Sequence, residues 1–166
     1  ALIPLEVPMA SVNGVLNAVE VEGDLVGPLW FQGPGAGAEP TASAVVGDIL
    51  KITESSGINS HRSRTFASFN ISSMNDHVCQ YYMRLTASDQ PGVLANVARV
   101  LGNAGISISA VLQKDTDIEK TQADLVIMTH PAREANMQTA VSLIRKLETV
   151  IQLDNLIRVE NYAGRL

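Results

Sequence analysis

Two short runs in this chain hold residue types and spacings that could meet a small ligand. In Asp89-Gln90-Pro91-Gly92-Val93-Leu94 a proline suited to a first helical turn precedes a glycine and then an apolar stripe. A helix opening there leaves its first N–H groups unpaired, and Gly92 removes the side chain that would hold a ligand away from that backbone. Helix N-termini favour anions, so the carboxylate of a free amino acid fits, with Asp89 or a side-chain amide on a neighbouring strand answering the amino group. Around Gly92, Val93 and Leu94, the residues Ser107, Ile108 or Gln113 of the next strand, from the same or a neighbouring subunit, would complete the pocket. The same spacing also describes an ordinary capped helix with a turn glycine.

The second run is Gly33-Pro34-Gly35-Ala36-Gly37-Ala38, in which Gly33, Gly35 and Ala38 satisfy the relaxed dinucleotide pattern G-x-G-x-x-G/A between a candidate strand and a helix. Pro34 removes one N–H, Pro40 falls at the helix start, and no βαβ continuation with parallel strands follows. Three readings stay open: an independent dinucleotide site, a plain glycine turn, or a loop bordering an active site built mostly by other residues. Elsewhere the chemistry is sparse. His61, His77 and His130 stand apart in sequence, and His130 before Pro131 reads as a polar helix cap. Cys79 opens an apolar strand and reads as a packing thiol, and no metal-ligand set or nucleophile with its base is spaced along the chain. Glu20, Glu22 and Asp24 flank a turn and read as a solvated hairpin end.

The elements that must hold these runs follow from period. Tyr81, Met83 and Leu85 alternate with Tyr82, Arg84 and Thr86, which predicts a strand ending at Ser88-Asp89. Pro91 opens a helix whose Val93, Leu94, Val97, Val100 and Leu101 share a face and which ends at Gly105. A strand follows over Ile106 to Gln113, a polar turn over Lys114 to Gln122, and a strand over Ala123 to Met128. Pro131 opens a second helix with Met137, Ala140, Val141, Ile144 and Leu147 on one face, and Leu156 to Glu160 is the last short strand. The order β-α-β-β-α-β is the ferredoxin-like α+β unit, which leaves one sheet face bare. That open face, with Tyr81, Met83 or their neighbours, calls for a second subunit or domain. Residues 12–31 predict a hairpin around Glu22-Gly23-Asp24 closing at Trp30-Phe31, and Pro40 to Lys51 a helix.

Composition sets the limits. With 166 residues, 46% of them hydrophobic and 17% charged, the chain can bury a real core. A net charge of −5 speaks against nucleic-acid and anionic-membrane partners, and no run approaches the roughly 20 apolar residues of a membrane span. A lone cysteine suits a reducing, cytoplasmic setting. Residues 1–57 hold eight of the 12 glycines and seven acids against Lys51 alone, and the polar runs Ser55 to Arg64 and Ser72 to His77 read as connectors. The expected division is 1–71, a linker at 72–78, and 79–166. Because the chain opens at Ala1, without an initiator Met, it reads as a piece of a longer protein.

Two segments together resemble one family. Val12-Asn13-Gly14-Val15-Leu16-Asn17-Ala18-Val19 and the run Gly33 to Asp48, with Pro40-Thr41-Ala42-Ser43-Ala44-Val45, resemble the end of the catalytic region of homoserine dehydrogenase. Residues 81–160, with Asp89 to Leu94, Ala104-Gly105-Ile106-Ser107-Ile108 and Val126-Ile127-Met128-Thr129-His130, resemble an ACT domain. The resemblance implies that 1–71 is the end of the substrate domain and 79–166 a regulatory domain. It implies an NAD- or NADP-dependent interconversion of L-aspartate 4-semialdehyde and L-homoserine in the full-length enzyme. The Rossmann domain and the proton-moving acids and lysines would precede Ala1, leaving no catalytic residue, no bound cofactor and no activity in this stretch. Gly33, Gly35, Gly37, Thr41 and Ala42 would border the cleft near the nicotinamide. Threonine would be the effector, and homo-oligomers would form through the ACT sheet. The rival readings are a stand-alone amino-acid sensor and an ACT module serving only in oligomerisation.

Overall fold

The computed structural model describes residues 1–55, 70–117 and 121–160; His61, most of the Ser55 to Arg64 run and residues 161–166 lie outside them. The described residues divide into two compact units, one within Pro4 to Asn70 and the other over Ile71 to Glu160 together with Ala1–Ile3.

The unit from Pro4 holds a 3-10 turn at Pro8–Ser11, strands β1 (Leu16–Gly23) and β2 (Gly27–Pro34), and helix α1 (Ala38–Ser55). β1 and β2 form an antiparallel hairpin in which Val19 faces Phe31 and Val21 faces Leu29. Gly27 closes its turn with a φ of +74°, open to glycine at little cost. β2 runs past the expected end at Phe31 to Pro34, because Gly33 and Pro34 still pair with Asn17 and Leu16.

The larger unit contains β3 (Val78–Ser88), α2 (Val93–Asn103), β4 (Ile108–Asp117), β5 (Gln122–Thr129), the two-residue β6 (Ala132–Arg133), α3 (Glu134–Ile144) and β7 (Val150–Val159). The main strands run β4-β5-β3-β7, every neighbour antiparallel, and β6 pairs with Val78 and Cys79 at the start of β3. This is the ferredoxin-like α+β arrangement. Period two on β3 buries Tyr81, Met83, Leu85 and Ala87, and the stripes Val93, Val97, Leu101 of α2 and Met137, Ala140, Val141, Ile144 of α3 close over them. Cys79 is buried in the same cluster. Tyr81 and Met83 therefore face the helices, and it is Tyr82, Arg84 and Thr86 that line the opposite sheet face.

Several boundaries differ from the sequence reading, each for a local reason. Pro91 does not open α2: Gly92 takes a left-handed φ of 92° as its N-cap, and the helix starts at Val93. Pro131 does not open α3 either, since Ala132 and Arg133 first pair with β3; the N-cap is then Arg133, without a side-chain cap, so His130 caps nothing. The polar residues 114–117 continue β4 rather than turn, because an edge strand tolerates a polar sequence when its partner β5 supplies the ladder. β7 begins at Val150, not Leu156, and its pairing with β3 slips twice, between Arg84 and Leu85 and between Thr86 and Ala87, which blurs its alternation. Gly105 ends α2 with a φ of +72°, as its position predicted. Among the described residues no helix is long and apolar enough to cross a membrane.

Candidate ligand site

The end of β3, the start of α2, the middle of β4 and the start of β5 enclose a cavity of about 100 Å³. Its apolar floor is Ala87, Val93, Ala123 and Leu125, and its polar rim is Ser88, Asp89, Gln90 and Gln113. At roughly a third of the smallest drug-sized pockets, it is sized for a small ligand. Of the residues singled out from sequence, Asp89, Gly92, Val93, Leu94 and Gln113 converge here. Ser107 and Ile108 do not. Ile108 pairs with Thr129 at the far end of β4, while Gln113 pairs with Leu125, so the two positions expected to act with Gln113 belong to the opposite end of the strand. Ser88 and Gln90 are members the sequence reading passed over; both flank Asp89 in a loop that must line whatever Asp89 lines.

The rim is held by its backbone. Ser88 N–H donates to Thr149 O at 2.9 Å, Asp89 N–H to Thr121 O at 2.8 Å, and Gln90 N–H to Ser88 O at 3.0 Å. At the helix start no side chain caps α2, and Val93 N–H reaches Gln90 O only at 3.4 Å. A Cβ on Gly92 would meet nothing within 4 Å, so its backbone angle rather than crowding requires glycine, and the space above it is open. Open helix-terminal N–H groups beside a carboxylate and two side-chain amides suit a zwitterion.

The glycine loop has a different logic. A Cβ on Gly35 would lie 1.8 Å from Asn17 Nδ2, so this glycine admits a side chain of β1. Gly35 N–H donates to Val15 O at 2.7 Å. Gly37 has a φ of +126°, and its carbonyl accepts from the Thr41 hydroxyl at 2.8 Å, beside Ala42 in the first turn of α1. Gly33 lies within β2, opposite Asn17. Among the described residues the strand before the loop pairs antiparallel with β1 alone, so these residues do not build a free-standing dinucleotide cradle.

A charged cluster that the sequence did not disclose lies at the other end of the β3 sheet. Glu134, 4% exposed, accepts from the Tyr81 hydroxyl at 2.8 Å, from Arg158 Nε at 2.7 Å and from Gln138 Nε2 at 2.7 Å. Arg158 chiefly, with Gln138 and Tyr81, holds the carboxyl down to about 2 against the opposing effect of burial. Burial pushes the Tyr81 phenol up. On the open sheet face the Thr86 hydroxyl lies 3.2 Å from Asp124 and 3.0 Å from Asp154, and Arg84 pairs with Asp124. Among the described residues no group of three or more His, Cys, Asp or Glu side chains could hold a metal ion.

The ferredoxin-like unit, with its cavity at the β3–α2 turn, is of the ACT class: residues 81–149 match the ACT domain family. Residues 1–50 match the homoserine dehydrogenase family, so a stretch similar to homoserine dehydrogenase precedes the one that matches the ACT domain. It is 36% identical to homoserine dehydrogenase of Pseudomonas aeruginosa and 38% identical to that of Neisseria gonorrhoeae, in each case over 96% of this chain and 38% of the relative. The crystal structure of a homoserine dehydrogenase from Thiobacillus denitrificans superposes with a TM-score of 0.82 at 38% identity, over 96% of this chain and 37% of that one. A Staphylococcus aureus homoserine dehydrogenase, 22% identical with a TM-score of 0.53, shares the fold. The chain thus spans little more than a third of the length of these relatives.

Proposed function

We propose that this chain is the regulatory end of a homoserine dehydrogenase, residues 1–71 closing the substrate domain and 79–166 forming the ACT domain. Its cavity binds a small amino acid, threonine, as the feedback effector. The observation that carries this reading is the cavity itself, which joins the uncapped start of α2 to Asp89 and Gln113 in a volume fit for a small zwitterion. The ligand carboxylate meets the backbone at Val93 and Leu94, its ammonium meets Asp89, and Gln113 and Gln90 serve the side-chain hydroxyl. Ser107 and Ile108 take no part within one protomer.

Hydride transfer between L-homoserine and L-aspartate 4-semialdehyde, with NAD or NADP, belongs to the longer cytoplasmic enzyme. Gly33, Gly35, Gly37, Thr41 and Ala42 border its cofactor cleft, but the cradle for the dinucleotide is supplied by other residues, and this chain alone is inactive. ACT sheets pair between copies of the chain. The exposed Leu112 beside Val126 on the open sheet face, across from Arg84 and Asp124, gives that face both apolar area and charges to set a register.

Calorimetric titration of threonine into the chain tests this reading. Saturable binding that weakens roughly tenfold or more in Gln113→Ala supports it, as the loss of one or two hydrogen bonds at about 1.4 kcal/mol per decade requires. An absence of heat with a folded protein leaves the ACT domain with a role in assembly alone.

A further inference from the structure

Ala1–Ile3 stand apart from the residues that follow them. They belong to the compact unit of the ACT sheet, whereas Pro4 opens the other unit. Leu2 N–H donates to Arg158 O at 2.7 Å, and Glu160 N–H donates to Leu2 O at 2.9 Å, so Leu2 straddles Val159 in a parallel bridge. In a parallel ladder the next donor on the added strand would be residue 4. Pro4 has no N–H, so the ladder must stop there. Past Ile3 the pairing is thus ended by sequence.

The residue that seats it is itself fixed. The carbonyl of Arg158 takes the Leu2 N–H while its side chain is committed to Glu134 on α3. Glu134 also holds the Tyr81 hydroxyl on β3, and its own N–H donates to His77 O at 2.8 Å. α3 directly, and β3 through Glu134, therefore fix the β7 residue whose carbonyl takes the Leu2 N–H.

We propose that Ala1–Ile3 is an anchored strap, an edge strand by which the ACT sheet grips the chain just before it runs into the other unit, with Arg158 as its seat and Glu134 as the group that positions the seat. The strap occupies the β7 edge at residues 158–160, so a second copy pairing backbone to backbone at that end would have to displace it.

Amide hydrogen exchange on the full chain, followed by NMR without ligand, tests the strap independently of any amino-acid binding. The Glu160 amide is expected to be protected. Deletion of Ala1–Ile3 should speed its exchange at least tenfold, and Arg158→Lys, which keeps the charge but loses the planar Nε donor, several-fold. In both, the central amides of Met83 and Ile127 should keep their rates. A Glu160 amide that exchanges freely in the parent, or is indifferent to the deletion, overturns the strap. An unchanged rate in Arg158→Lys, or one that rises only together with Met83 and Ile127, overturns the role of Glu134 and Arg158 as its anchor.

Discussion

The two units reach their secondary structure by the same local rules and part company at burial. In the ACT unit every stripe finds a partner: Met83, Leu85, Val97, Leu101, Ile127, Met137 and Ile144 are fully buried in one cluster. In the unit from Pro4 the hairpin turns Val19, Val21, Leu29 and Phe31 to one face, and α1 turns Val45, Val46, Ile49, Leu50 and Ile52 outward, all of them exposed. Apolar pattern decides which residues share a face, while a core needs a second face to meet it. The ACT domain carries both faces within its own sequence; the hairpin and α1, as described, carry one each.

The largest expected effect breaks this contrast directly. Leu85→Ala should cost about 2–5 kcal/mol of unfolding free energy, a cavity in a core that cannot collapse around it. Val46→Ala on the exposed face of α1 should change stability by no more than about 0.5 kcal/mol, helped by alanine's helix propensity. Chemical denaturation of both variants checks the pair. A Val46→Ala cost near that of Leu85→Ala would mean that the α1 face is covered in solution.

Next in size is the buried carboxylate. The Glu134 carboxyl is held near 2 in the folded protein against an ordinary 4.5. A lowered pKa contributes stability that is complete above the ordinary value and is lost as pH falls from about 4.5 through about 2, on the order of 3 kcal/mol in all. Glu134→Gln should remove that acid limb and cost about 1–3 kcal/mol at neutral pH, because one amide must meet the Gln138 donor with a donor of its own. Urea midpoints measured from pH 7 to pH 2 check the sign; a midpoint independent of pH over this range would show that the pair is open to solvent.

Gly92→Ala should cost about 1–2 kcal/mol through its left-handed backbone alone, since its Cβ would enter open space. Gly92→Asn, which tolerates that region better, should cost less, and thermal melts of the two variants check the order. The smallest effect belongs to the open sheet face: Arg84→Ala, breaking a partly exposed pair with Asp124, should move the urea midpoint least of all, and less still at high salt.

What the sequence disclosed follows the same division. The alternation on β3 and β5 and the stripes of α2 and α3 were legible because burial on one face imposes a period, and Gly105 because only a positive φ explains it. The cavity lining was legible at Asp89, Gly92 and Gln113, whereas Ser107 and Ile108 lie toward the opposite end of β4 within one protomer, since a strand's period says which face a residue takes and not which end of the sheet it occupies. β7 was cut short because its two register slips break the alternation. Glu134 gave no signal in the sequence; its partners Tyr81 and Arg158 lie 53 and 24 residues away, beyond any local pattern. Leu2 offered no signal, a single residue docking through its backbone.

The central claim, that the cavity between β3, α2 and β4 is an amino-acid site, is tested most directly by following backbone amide resonances of the chain as threonine is added. A threonine bound there gives saturable shifts concentrated at residues 88–94, Gln113 and Ala123, with Ser107, Ile108 and His130 at the far end of β4 and β5 unmoved. Shifts centred on Ser107 and Ile108, or a spectrum unchanged at millimolar threonine, would contradict it.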